Sequence, residues 1–349
     1  MRIAQVAPLF ESVPPRLYGG TERVVSWLTE ELVGMGHEVT LFASGDSQTS
    51  ARLISPCDRA LRLEASVVDR TAPHILMLEQ VFSRAGDFDV IHFHTDYLHF
   101  SLSRRTPVRG VTTLHGRLDL PELTGIFKEF GEMPVVSISN AQREPVPWLN
   151  WQATIHHGLP ADRFGFHERS AGYLAFLGRI SYEKGLDDAI AIARAAGLPL
   201  RIAAKLDAVD RGYFTTAIEP LLRQPGLEFL GEIPEADKEA LIGDAAAVLF
   251  PIRWPEPFGL VMIEAMTCGT PVIAFPHGSV PEIVDDGVTG VLARDASEGV
   301  EAVARALSLD RREVRRRALE RFSVTRMALD YLSVYDGLTR PSSGHEKAR

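Results

Sequence analysis

Short apolar runs rich in β-branched residues alternate with stretches of helical periodicity along most of the chain, the signature of parallel sheets with helical crossovers. In the first half the strand-like runs are "RIAQVA" (2–7), "EVTLFA" (38–43), "DVIHFH" (89–94), "GVTTLH" (110–115), "PVVSIS" (134–139) and "ATIHH" (153–157). Helices are expected between them, for example "TERVVSWLTEELVGMG" with Thr21 as its N-cap. The stretch "GLPADRFGFHERSAG" (158–172) lacks periodicity and is rich in Gly, Pro and charge, so it reads as a link between domains. Alternation restarts with "YLAFLG" (173–178), "PLRIAAK" (199–205), "LEFLGE" (227–232), "AAVLFPI" (246–252), "PVIAF" (271–275) and "TGVLA" (289–293). From about Ser297 only helical periodicity remains. The pattern predicts an α/β protein of two doubly wound, Rossmann-like parallel-sheet domains facing a central cleft, with ligand at the carboxyl ends of the strands.

A chain of 349 residues is long for one core, which agrees with two domains. A formal charge of -9 argues against a nucleic-acid-binding surface. Cys57 and Cys268 form no disulfide framework and fit a reducing compartment. The opening "MRIAQVAPLF" lacks a signal-peptide core, and no apolar run approaches the ~20 residues of a membrane span. A cytoplasmic protein is expected, with at most weak peripheral membrane contact.

The segment "RWPEPFGLVMIEAMTCGTPV" (253–272) then raises a chemical question. Glu256 falls in the loop after a buried strand, and Glu264 interrupts an apolar helix opened by Phe258-Gly259. A rise of ~1.5 Å per residue places the two carboxylates within roughly 12 Å, a span suited to an elongated polyhydroxylated ligand. An anion would sit between them at the helix N-terminus. Glu256 alone could simply complement the helix dipole, and Glu264 could point to water. Glu264 fits that bland reading less well, because a carboxylate on an apolar helix is costly to bury without hydroxyl or cationic partners.

Arg179 and Lys184, in "LGRISYEKGLDDAI", leave the first strand of the second half, where two cations suit a diphosphate. By residue type alone they could equally be solvated charges. Gly19-Gly20, ahead of the first helix, form either a site of close backbone approach or a plain turn. His115 ends a strand and could donate to a sugar hydroxyl, although a satisfied structural histidine is the commoner case. His92, His94 and His99 have no partners at metal-site spacing. Asp87 and Asp89 form an Asp-x-Asp pattern, but at the amino end of a strand, away from the expected cleft. The run "RREVRRR" (311–317) reads as a solvated helix face, with an anionic membrane surface or acidic partner as the alternative.

Taken together these segments resemble retaining glycosyltransferases of family 4, which have the GT-B fold. The resemblance covers nearly the whole chain: Glu256-x7-Glu264 followed by "AMTCGTPVIA", then "GRISYEKG", "YGGTERVV", "TLHG", "GSVPEIVDDGVTG" and "RFSVTRMALDYLSVY". It implies an acceptor-side domain at 1–160, a donor domain at 172–322 and a last helix (323–339) packed back on the first. It also implies that Arg179 and Lys184 hold a donor's diphosphate, Glu264 the ribose hydroxyls and Glu256 the hydroxyls of the transferred sugar. Phe258, Gly259 and Leu260 would present backbone N–H groups, Ile233 would lie near the base, Gly19 and Gly20 would approach the phosphates, and His115 would lie near the sugar. The chain departs from the family pattern at His157, where Asn is frequent, and at Ala203, Ala204 and Lys205, where Gly is common. Lys205 would add a cation or mark a different donor preference.

The implied activity is metal-independent transfer of a hexosyl group, glucose or mannose first, with retention. The donor would be a nucleoside diphosphate sugar, UDP or GDP first, with no further cofactor, and the acceptor a hydroxyl on a small molecule, glycan or lipid-linked compound. The rival readings are a non-catalytic sugar-nucleotide binder, or an epimerase or phosphorylase on the same fold.

Overall fold

The computed structural model describes residues 1–17, 19–62 and 64–340. Among the described residues thirteen strands form two sheets that are parallel throughout. The first contains β1 (Arg2–Val6), β2 (Glu38–Phe42), β3 (Arg52–Ile54), β4 (Val90–Phe93), β5 (Gly110–Thr113), β6 (Val135–Ser137) and β7 (Trp151–Thr154), in the order β3-β2-β1-β4-β5-β6-β7. The second contains β8 (Leu174–Arg179), β9 (Leu200–Lys205), β10 (Leu227–Gly231), β11 (Ala247–Phe250), β12 (Val272–Ala274) and β13 (Gly290–Leu292), in the order β10-β9-β8-β11-β12-β13. Strand order reverses beside β1 in one sheet and beside β8 in the other, and each reversal opens a crevice at the carboxyl ends of the strands. Central strands such as β4 and β11 are buried along their whole length. That is why they read as continuous apolar runs rather than alternating ones.

Local chemistry sets the helix starts. Asp295 accepts from the Glu298 amide at 3.0 Å to open Ala296–Leu307, and Asp310 accepts from the Arg312 amide at 2.9 Å to open Arg311–Arg321. The first long helix runs Gly20–Gly34 with Gly19 at its N-cap, so Thr21 lies inside the first turn rather than capping it. Among the described residues no side chain caps this helix at Gly19. β3, whose three residues carry little apolar signal, is an element the pattern above does not contain.

The stretch after β7 is pinned rather than loose: Leu159 and Phe164 are fully buried. Leu159 pairs with the second crossing of the chain, its amide donating to Phe322 O and its carbonyl accepting from the Val324 amide, both at 2.9 Å. At Gly158 a Cβ would collide with the Ser323 carbonyl, so the two crossing strands touch backbone to backbone. Beyond Ser323 the closing helix, Val324–Thr339, packs against Gly20–Gly34 and β4 of the first domain. Tyr331 and Tyr335 are wholly buried there.

The basic run does not form the solvated face expected of it. Arg311 is folded into the second domain, donating from Nε to His167 O (2.7 Å), Nη1 to Ala245 O (2.9 Å), and Nη2 to Gly243 O (2.6 Å) and Thr270 Oγ1 (2.7 Å). Arg315 donates to Phe164 O at 2.9 Å. The reason is positional: the carbonyls at 164, 243 and 245 end locally without amide partners and need donors. Only Arg312 and Arg316 lie open, each paired with a glutamate.

Candidate active site

Between the two sheets lies a cavity of about 380 Å³, within the range of small-ligand sites. Its wall on the second domain starts from β11. The chain leaves β11 through "PIRWPEP", reaches Gly259 and enters the helix Leu260–Thr267. Gly259 has φ +84, and a Cβ there would press on Met262 Cε at 2.7 Å and Phe250 Cζ at 3.0 Å, so the helix entry is built for glycine. Gly278 sits against the Glu256 backbone with φ +59 and no room for a Cβ, while the Ser279 amide donates to Glu256 O at 2.9 Å. The loop carrying Glu256 is therefore clamped from below.

Lys184 Nζ donates to Glu256 Oε2, and Trp254 Nε1 donates to the same oxygen at 3.0 Å. Both charged side chains are largely enclosed, at 15% and 11% exposure. Glu264 is 3% exposed, and its Oε1 accepts from Lys238 Nζ at 2.8 Å. Its burial contradicts the solvent-facing reading of that carboxylate, and the ion pair supplies the cation such burial requires. Gly19, Gly20 and His115 close the cavity from the first domain. Lys205, Ile233, Phe258 and Leu260 complete the opposite side, with Lys205 Nζ 2.8 Å from Asp207.

Eleven of the twelve residues singled out in the sequence thus line one cavity, and Arg179 does not. Its guanidinium lies 3.5 Å from Glu183 and 3.4 Å from Asp210. Arg23, Glu235 and Lys238 line the cavity without having been anticipated. The signal available for Lys238 was its i,i+3 spacing from Glu235, which on an amphipathic helix reads as an ordinary surface pair.

His115 belongs to a buried polar chain. Gln5 Nε2 donates to Tyr335 Oη at 3.2 Å, which leaves Gln5 Oε1 to accept from His94 Nε2 at 2.8 Å. With that orientation of the amide, His94 Nδ1 accepts from His115 Nε2 at 2.9 Å. His92 continues the chain from Tyr335 Oη (2.7 Å) to Thr113 Oγ1 (2.7 Å), which meets Tyr331 Oη at 2.9 Å. Burial pulls the pKa of His115 down to about 3 and drives His92, His94 and His157 in the same direction, so these imidazoles are uncharged near neutral pH. His99 lies apart, with burial lowering it to about 3 and its ring stacked on Phe93. Asp89 is bound by Arg2 at 2.9 Å at the amino end of β4.

A second cavity, about 500 Å³, adjoins the first at Thr21 and His115. Phe10, His74, Asp96 and Tyr97 contribute to its lining, as does Glu22 from the first helical turn. Desolvation raises Asp96 to about 6 and Glu22 to about 7. Among the described residues no helix is long and apolar enough to cross a membrane.

Two Rossmann-like sheets that face each other over a cleft of paired charges define a GT-B glycosyltransferase. Residues 18–164 match the family model for Glycosyltransferase Family 4, and residues 163–321 match that for Glycosyl transferases group 1. The chain is similar to a glycogen synthase of Mycobacterium tuberculosis, at 32% identity over 87% of this chain and 86% of that protein. It also matches a phosphatidyl-myo-inositol mannosyltransferase of Mycobacterium leprae, at 26% identity over 89% and 88%. Among solved structures, AviGT4, a glycosyltransferase of avilamycin A biosynthesis, superposes with a TM-score of 0.73 at 24% identity, covering 97% of this chain and 98% of that one. Anabaena HepE, in complex with UDP and glucose, superposes with a TM-score of 0.74 at 17% identity, covering 97% and 100%. The chain belongs to the GT-B glycosyltransferases of the family 4 type.

Proposed function

We propose that this enzyme transfers a hexosyl group from a nucleoside diphosphate sugar to an acceptor hydroxyl with retention at the anomeric carbon. One observation carries the reading: the Lys184–Glu256 pair, the Glu264 carboxylate and the amino end of the helix Leu260–Thr267 share a single cavity with Gly19 and Gly20 of the other domain. The diphosphate lies at that helix end beside Lys184, the ribose hydroxyls at Glu264 and the sugar hydroxyls at Glu256. As the anomeric carbon loses its phosphate oxygen and gains the acceptor oxygen on the same face, the acceptor's proton passes to the departing phosphate. Lys184 and the helix amides offset the developing charge, a role that requires no metal.

The acceptor enters through the second cavity, past His115. UDP or GDP as carrier, with glucose or mannose as the sugar, is consistent with a glycogen synthase and a mannosyltransferase among the relatives and with UDP and glucose bound in HepE. The test is calorimetric titration with UDP, GDP, ADP and their glucose and mannose conjugates, then NMR of the anomeric coupling in the product. Micromolar binding of one donor and a retained configuration are expected. Absence of binding to every nucleotide, or an inverted product, overturns the proposal.

A further inference from the structure

On the helix that carries Glu264 its neighbours are apolar: Met262, Ile263, Ala265 and Met266 are fully buried. A carboxylate placed there without a counterion would bear the full cost of desolvation. Lys238 is that counterion, at 2.8 Å, and it is itself only 13% exposed. Its ammonium also lies 3.1 Å from Glu235, whose other oxygen takes Arg23 at 2.8 Å from the first domain and Arg163 at 3.0 Å from the linker. Lys238 is thus fixed by two carboxylates, and the second of them is neutralised by two arginines. Its position is set by the fold rather than by solvent.

We propose that Lys238 is a specificity-determining residue for the donor's ribose: by fixing the Glu264 carboxylate at the cavity wall, it makes nucleotide binding depend on the ribose hydroxyls. The inference rests on the donor reading given above. Lys238 occupies one lone-pair direction of Oε1, and the remaining directions of the carboxylate are open to two hydroxyl donors. A hydrogen bond from a sugar hydroxyl to a charged acceptor contributes about 1.5–3 kcal/mol, which is roughly 10- to 150-fold in affinity. A misdirected Glu264 would lose most of that discrimination.

The experiment measures calorimetric dissociation constants of UDP and 2'-deoxy-UDP, with the GDP and ADP pairs in parallel, for the wild type, Glu264→Gln, Lys238→Met and Lys238→Arg. Circular dichroism melts confirm that each variant is folded. In the wild type the ribonucleotide is expected to bind at least tenfold more tightly than its deoxy analogue. That ratio is expected to fall to within threefold of one in Glu264→Gln and Lys238→Met and to persist in Lys238→Arg. Collapse in Glu264→Gln with an intact ratio in Lys238→Met overturns the role of Lys238 and leaves the donor reading standing. An unchanged ratio in Glu264→Gln shows that Glu264 does not hold the ribose, and the donor reading and this inference then fall together.

Discussion

Replacing Lys184 with methionine removes the ammonium that touches Glu256 and leaves that carboxylate, 11% exposed, beside the place proposed for a diphosphate. Two effects follow. The charged contact to phosphate is lost, about 1.5–3 kcal/mol. A new repulsion also arises: two like charges about 5 Å apart at an effective dielectric of about 20 interact by roughly 3 kcal/mol. Together these come to about 4.5–6 kcal/mol, so UDP should bind Lys184→Met at least ~1,000-fold more weakly than wild type, and transfer should fall at least ~100-fold. The diagnostic step is to add Glu256→Gln in that background. Removing the unpaired charge should recover about 3 kcal/mol of binding, close to 100-fold in dissociation constant, while transfer stays low because the sugar loses its carboxylate partner. Calorimetry with UDP on the wild type, both single variants and the double variant closes the cycle. If the two substitutions add to within about 0.5 kcal/mol, the lysine and glutamate do not act on one ligand and the reasoning is refuted.

Tyr335→Phe should cost about 2–4 kcal/mol in urea denaturation, because Gln5 Nε2 and His92 Nδ1 both lose their partner in a buried site. Arg311→Met should cost about 3 kcal/mol or more by the same measurement, since it strands several carbonyls, whereas Arg312→Met next to it should stay within about 0.5 kcal/mol. Glu22, raised from 4.5 to about 7 by burial, binds a proton more firmly in the folded state, so its contribution is fully present below about pH 4.5 and is lost as pH rises through 7. Glu22→Gln should therefore match wild-type thermal stability at pH 4.5 and exceed it at pH 8, by an amount approaching roughly 3 kcal/mol. The lowered histidines work in the opposite sense: their stabilisation is complete above pH 6.5 and is lost as pH falls toward 3, so guanidinium midpoints should drop steeply below pH 6.

The doubly wound architecture was legible because buried parallel strands leave continuous apolar runs between amphipathic helices, and because Glu264 is conspicuous among Met262, Ile263 and Ala265. What stayed hidden depends on partners distant in sequence. Arg179 stands where a phosphate-binding cation would, yet Asp210, thirty-one positions later, competes for it. Lys238 and Arg23 read as surface charges on amphipathic helices, since nothing in their own segments tells of Glu264 or Glu235 across the fold. Arg311 and Arg315 are as basic as Arg312, and only the carbonyls they reach, up to 154 positions away, separate the buried from the exposed. The polar chain through His92 and His94 could not be read from their own segment, because their partners, Gln5 and Tyr335, lie at opposite ends of the chain.

The return of the closing helix has a bearing on synthesis. A ribosome makes the opening sheet first, but Tyr331 and Tyr335, which pack beside His92, leave the exit tunnel only after the entire second domain has been translated. The earliest-born half of the enzyme is thus the last to be finished, because the hydrogen bonds that join Thr113, His92 and Gln5 to these two tyrosines cannot form before then.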